Sequence, residues 1–90
     1  MAEKEIGRVS DFFARPMVAG IKLSGEIKVG ERVHFKGHTT DFAMTVASIQ
    51  IDNRTVTEAK TGEEVGVKVP GRVRPGDAVF SELPGEHFQP

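Results

Sequence analysis

Reactive side chains concentrate in one stretch, where His34 precedes His38 by four residues and Asp41 follows within "HFKGHTTDF". Two imidazoles and a carboxylate could ligate zinc, which takes three or four ligands converging from rigid elements, with further hydrogen-bonded support behind them. On a helix that spacing would place both histidines on one face. Here the segment reads as a strand running into a turn, so His34 and Lys36 face outward and the turn decides where His38 points. His87 lies far off, in a Pro- and Gly-bearing tail. Neither a metal nor any other cofactor is expected. Ser48, His38 and Asp41 could be named as a triad, but a nucleophile needs a base within reach and an oxyanion hole. No G-x-S-x-G elbow, GxxxxGK[ST] loop or GxGxxG fingerprint occurs, and there is no cysteine. The chain is therefore expected not to be an enzyme. His38, Thr39, Thr40 and Asp41 keep two readings. Thr and Asp side chains bond their own backbone in tight turns, with Gly37 supplying freedom, or the exposed tip presents hydrogen-bonding groups to a ligand.

Two further surfaces could bind rather than catalyse. Residues 65–76 contain no acid, while Lys68, Arg72 and Arg74 share parity opposite Val65, Val67 and Val69. An extended segment would turn those cations to one side, where they could meet phosphates or form a solvated edge that discourages strand association. The second surface is the "DFFARPM" loop, with Phe12, Phe13 and Arg15. Adjacent phenylalanines point to opposite faces of a strand, so one packs inward and the other is available to stack a base or anchor a protein partner.

The elements that must position these groups are strands. Period-two alternation recurs at residues 6–9, 18–23, 32–36, 43–51, 64–69 and 78–81, bounded by Gly, Pro and Asp, and helical periodicity is lacking. Short strands without intervening helices indicate an all-β fold, and full closure suits a 90-residue chain because it removes edges. Within residues 43–51 the apolar parity switches between Val46 and Ile49, which calls for a bulge near Ala47 and Ser48. Three turns, Val29-Gly30-Glu31, Thr61-Gly62-Glu63 and Pro75-Gly76-Asp77, each lead into a valine-bearing strand. Their glycines supply positive φ and their acids accept backbone amides. One domain is expected over residues 1–82, followed by a tail at 83–90 that either hangs loose or lays Leu83 and Phe88 across a seam. Twelve Lys and Arg against thirteen Asp and Glu give a formal net charge of -1, which argues against a globally basic nucleic-acid binder. Without a signal-like or membrane-spanning apolar run, a cytoplasmic location is expected. Scarce Asn and Gln beside 28% charged residues fit a thermophile.

The order "SGEIKVGERVHFKG", "TTDFAMTVASIQID", "VTEAKTGEEVGVKV" and "RVRPGDAVF" resembles the translation-protein β-barrel, the second domain of elongation factor Tu and other translational GTPases. "KGHTTDF" followed by "VASIQID" is similar in particular to stand-alone elongation-factor-like small proteins, and to the C-terminal barrel of collagenase-like peptidases. The resemblance implies a small closed antiparallel barrel of about six to seven strands. It also implies a non-catalytic binding module that contacts tRNA, rRNA on the ribosome or a translation-related protein. The alternative is a protein-protein adaptor that docks a separate enzyme without nucleic acid. Translation factors carry G-x-G-x-V-x-x-G where this chain has "IGRVSDFFARPMVAG", so no acceptor-end pocket is carried over. Phe12, Phe13, Arg15, His38, Thr39, Thr40, Asp41, Lys68, Arg72 and Arg74 are the candidate binding surface.

Overall fold

The computed structural model describes residues 3–82, so the expected tail at 83–90 lies outside the described residues. Among the described residues there is no helix, and therefore none long and apolar enough to cross a membrane. The strands are β1 (Glu3–Phe13), β2 (Val18–Leu23), β3 (Ile27–Lys28), β4 (Arg32–Lys36), β5 (Asp41–Thr45), β6 (Ile49–Ile51), β7 (Arg54–Val56), β8 (Glu58–Ala59), β9 (Glu64–Lys68) and β10 (Ala78–Glu82). Eight form one antiparallel sheet in the order β5-β4-β10-β1-β2-β9-β6-β7, and β3 pairs with β8 apart from it.

The sheet is not closed into a barrel, contrary to the expectation from the sequence. No ladder joins β5 to β6 or β7, and more strands are present than the six or seven expected. The parity switch explains the difference. Instead of a bulge in one long strand, residues 46–48 leave the ladder and break it into β5 and β6. That corner carries the chain from one end of the sheet to β6, near its other end. Met44, Val46 and Ile49 are all buried across it.

The turn at residues 28–31 bonds to both ends of the sheet. Gly30 N–H donates to the Val46 carbonyl (2.8 Å), Val46 N–H donates to the Glu31 carbonyl (2.9 Å), and Val29 N–H donates to the Thr57 carbonyl (3.0 Å). This turn is one of three built alike. Gly30, Gly62 and Gly76 have φ of 94°, 93° and 98°. The acid after each glycine accepts the amide three residues earlier: Glu31 from Lys28 (3.0 Å), Glu63 from Lys60 (2.8 Å), and Asp77 from Arg74 (2.9 Å). Both expected functions, positive φ and an amide-accepting acid, are thus present in all three.

Inward residues fill the space behind the sheet. Ile21, Ile27, Val33, Phe35, Ile49, Val67 and Val79 are fully buried, and Phe12, Phe42, Ile51 and Val56 pack against this cluster. Phe35 and Phe42, paired across β4 and β5, stack with ring centroids 5.3 Å apart. Each such side chain contributes roughly 1.5–3 kcal/mol by leaving water.

Candidate functional site

The β4–β5 hairpin carries the stretch that looked most reactive. Strand alternation puts Arg32, His34 and Lys36 on the outer face of β4, with Asp41, Ala43 and Thr45 outward on β5. His34 and Asp41 are diagonal neighbours there, and His34 Nε2 lies 2.6 Å from Asp41 Oδ1. The Asp41 carboxylate therefore reaches across the hairpin instead of bonding its own turn, which corrects the expectation. The turn is closed by backbone, Gly37 N–H to the Thr40 carbonyl at 2.7 Å. Thr40 is buried, at 5% exposure, so it leaves the candidate surface, while His38 and Thr39 remain exposed. The named triad has no support in this geometry. Ser48 sits in the corner between β5 and β6, and Asp41 pairs with His34. No group of three or more His, Cys, Asp or Glu able to hold a metal occurs among the described residues.

Gly37 has a structural reason to be glycine. A Cβ there would fall on the carboxylate of Asp77, which is buried and accepts the Arg74 amide. Asp77 also donates its N–H to the Arg74 carbonyl (3.0 Å) and accepts from Val9 N–H (2.8 Å). The β4–β5 turn is thereby seated against the turn before β10.

The "DFFARPM" segment is only partly a loop. Asp11 to Phe13 belong to β1, and the connection is residues 14–17, with a cis Arg15–Pro16 bond and Met17 at φ 66°. Phe12 packs toward the core, whereas Phe13 is 51% exposed. Phe13 pairs with Val18, and Val18 pairs with Lys68 on β9. Lys68 is exposed at the end of its strand, and Arg72 and Arg74 are exposed in the connection from β9 to β10. Of the candidates, Phe13 and Arg15 line one cleft, and neither the His38 turn nor Arg72 and Arg74 contribute to it.

That cleft, of ≈ 630 Å³, lies on the outer face of β1, β2, β9 and β6 and continues to the β6–β7 turn. Its middle is an outward row of residues in register: Asp11 opposite Gly20, Gly20 opposite Gly66, and Gly66 opposite Gln50. Two neighbouring positions in this row carry no side chain. A Cβ on Gly20 would meet Asp11 Cβ at 3.3 Å, and one on Gly66 would meet Val18 Cγ1 at 3.2 Å. Gly20 is buried and Gly66 half-buried, because Asp11, Ser10 and Val18 pack over the two glycines. Along one side Glu64 accepts a hydrogen bond from Ser10 Oγ (2.7 Å), and at the far end Asp52 and Asn53 form the hairpin turn, with φ of 51° and 65°.

Sequence reasoning missed Gly20, Gly66, Gln50, Asp52 and Glu64. A signal was available, since "VAGIKL" and "EVGVK" each place one glycine mid-strand at an outward position, a mark of close approach by another group. "IDNR" likewise carries the Asp-Asn pair suited to a tight hairpin with two positive φ values.

No protein-family model matches the chain. Over 77 residues, 84% of this chain, it is 43% identical to an uncharacterized protease of Methanocaldococcus jannaschii and covers 19% of that protein. A collagenase of Porphyromonas gingivalis is 30% identical over 77 residues, 83% of this chain and 21% of the collagenase. The chain therefore spans about a fifth of the length of these curated relatives. Among solved structures, the C-terminal domain of a "putative U32 peptidase" from Geobacillus thermoleovorans aligns with TM-score 0.83 at 18% identity, over 89% of this chain and 93% of that one. GDP-bound aIF5B from Aeropyrum pernix aligns with TM-score 0.70 at 21% identity, over 97% of this chain and 16% of that one. This chain is thus related in sequence to segments of a protease and a collagenase, and it shares its all-β fold with the C-terminal domain of a U32 peptidase and, more distantly, with part of aIF5B.

Proposed function

We propose that this chain is a non-catalytic protein-docking module, an adaptor of the kind joined to U32 and collagenase-like peptidases, and that it acts without nucleic acid. The observation that carries this reading is the pattern of likeness. Nearly the whole chain recurs as about a fifth of proteins named as a protease and a collagenase, and its fold recurs as the C-terminal domain of a U32 peptidase. A unit repeated as a minor part of larger chains is a module whose task is to position or recognise. Its surface supports the same reading, because Phe13, an exposed aromatic among the described residues, stands near Arg15 at a hairpin tip. Aromatic and arginine side chains are the usual anchors of protein interfaces.

The translation-linked reading ranks second. It rests on the likeness to aIF5B, together with exposed Lys68, Arg72 and Arg74. Three cations on a chain of net charge -1 make a modest phosphate site. One experiment separates the two readings. The M. jannaschii protease, with its matching 77-residue segment deleted, is offered this chain in trans and the mixture is followed by size exclusion with light scattering. In parallel, total tRNA is titrated at low salt. A one-to-one protein complex and no tRNA binding is the expected result. The proposal would be overturned by tRNA binding with a log–log salt slope of about -2 to -3, lost on neutralising Lys68, Arg72 and Arg74, and with no protein complex.

A further inference from the structure

We infer that residues 68–74, the basic connection leaving β9, dock an acidic extended segment of a partner protein. The inference rests on the docking reading above and deepens it by naming the chemistry of the partner.

Charge supplies the first half of the argument. Burial alternates along this stretch: Lys68, Pro70, Arg72 and Arg74 are exposed, Val69 and Val73 are buried, and Gly71 is half-buried. The two valines anchor the segment in the core, which leaves its cations on the solvent side. Between Glu64 and Asp77 the chain carries no acid. Asp77 is itself buried, with its carboxylate on the Arg74 amide and over Gly37. Among the described residues, none of the three cationic side chains has an ion pair or a hydrogen bond. By contrast, Arg8 holds Glu5 (3.2 Å) and Arg32 lies 3.7 Å from Glu82. Unneutralised cations at alternating positions complement carboxylates at alternating positions of an extended chain. Complementarity of this kind mainly sets partner choice and encounter rate.

The backbone decides which kind of anion fits. Val69 N–H donates to the Met17 carbonyl (3.1 Å), and the Arg74 carbonyl accepts from Asp77 N–H (3.0 Å). Between these ties, Gly71, Arg72 and Val73 make no backbone hydrogen bond among the described residues. They therefore offer both N–H donors and carbonyl acceptors. A peptide backbone supplies both complements, as in the addition of a strand to an exposed edge. Phosphate groups supply acceptors only and would leave the carbonyls unmet. The chain bends at Pro70 and Gly71, and Pro70 has no N–H to give, so the pairing is confined to residues 71–73. The occupant is a short peptide segment with Asp or Glu at alternate positions.

The test uses the full chain, labelled with ¹⁵N, and four probes: hexapeptides alternating glutamate or lysine with valine, a fully N-methylated copy of the glutamate peptide, and hexauridylate. The glutamate peptide is expected to shift the amides of Gly71, Arg72 and Val73 and to slow their hydrogen exchange. The lysine peptide should leave them unmoved. The N-methylated copy keeps the charge but cannot donate, so it should bind about fivefold more weakly, the worth of one backbone hydrogen bond. Lys68→Gln, Arg72→Gln and Arg74→Gln combined should weaken the glutamate peptide about tenfold, the sum expected of three exposed charge pairs. Lys22→Gln with Lys28→Gln should not weaken it. Dispersed amide spectra establish that each variant is folded. No shift, shifts confined to another face, equal binding of the lysine peptide or the N-methylated copy, or tighter binding of hexauridylate would overturn the inference. If the truncated protease binds the chain and its triple-glutamine variant equally well, this segment is wrong and the docking function stands. If neither peptide nor protease binds and tRNA does, both fall.

Discussion

Replacing Gly37 by alanine tests whether the β4–β5 turn is held by its seat against Asp77. The added Cβ would coincide with the Asp77 carboxylate, which is buried and accepts the Arg74 amide at 2.9 Å. Neither group can yield freely. The Asp77 backbone is fixed on both sides, by its own N–H to Arg74 (3.0 Å) and by Val9 N–H to its carbonyl (2.8 Å). The glycine N–H is fixed to Thr40 (2.7 Å). Relief by rotating the carboxylate loses a charge-assisted hydrogen bond of about 1.5–3 kcal/mol, and relief by shifting the hairpin strains packing by a similar ~1–3 kcal/mol. The cheaper relief sets the cost, so the expected destabilisation is about 1–3 kcal/mol. In a domain of this size that lowers Tm by roughly 4–24 °C. Urea unfolding should show a lower midpoint with the slope unchanged. The decisive measurement is a double-mutant cycle with Asp77→Ala. With the carboxylate gone the alanine methyl has space, so the double variant should be more stable than the sum of the singles predicts by 1 kcal/mol or more, on the order of couplings between residues in contact. Additive effects, or a Gly37→Ala protein within about 0.5 kcal/mol of the parent, would refute the reasoning.

Truncating Phe35 to alanine removes a fully buried ring and its stack on Phe42, and should cost about 3–5 kcal/mol, enough to leave much of the protein unfolded by far-UV circular dichroism at 37 °C. Gly62→Ala isolates the conformational term, because φ is 93° and nothing lies within 4 Å of the new methyl, so a loss of about 1–2 kcal/mol in urea unfolding is expected. Ser81→Ala breaks the 2.5 Å bond from Ser81 Oγ to Glu31 Oε2 inside a part-buried setting, and a loss of about 1–3 kcal/mol should appear as a lowered midpoint. Phe13→Ser, in contrast, should leave stability within about 0.5 kcal/mol and appear only in binding, since that ring is 51% exposed.

What could be read from the sequence was what local patterns encode. Alternation located β2, β4, β9 and β10 closely, and glycine followed by an acid identified three turns with their hydrogen bonds. The missed strands, β3, β7 and β8, have two or three residues each, too short for any period to register. Sheet closure was misjudged because it depends on how the chain turns at residues 46–48. The parity of Val46 and Ile49 demanded a departure from regular strand there, but a bulge and a full break satisfy the same demand. On the β4–β5 hairpin, residue type did not reveal each side chain's surroundings. His38, Thr39, Thr40 and Asp41 drew notice as reactive groups, yet Thr40 is buried and Asp41 pairs with His34. The outer-face cleft brings together β1, β2, β9 and β6 residues, including the paired Gly20 and Gly66, through pairings that only the fold creates.

Under the proposed docking function, the arrangement of the core leaves only the outer face to a partner. Larger β-barrels can enclose a ligand because widening the sheet leaves space that side chains do not fill. Here the inward row of nearly every long strand is occupied to full burial, from Ile21 on β2 to Phe35 on β4, Val67 on β9 and Val79 on β10. A chain of 90 residues has few apolar side chains to spare, and emptying this interior for a ligand would remove the burial that keeps it folded. The outer pleat carries no such demand. Its exposed residues can vary at little cost to stability, because they lie outside the core. Val65 and Val67, either side of the half-buried Gly66, point inward and are buried. Under the proposed function, a small sheet of this construction would serve as an attachment surface on something larger, with its stability held by the inner face.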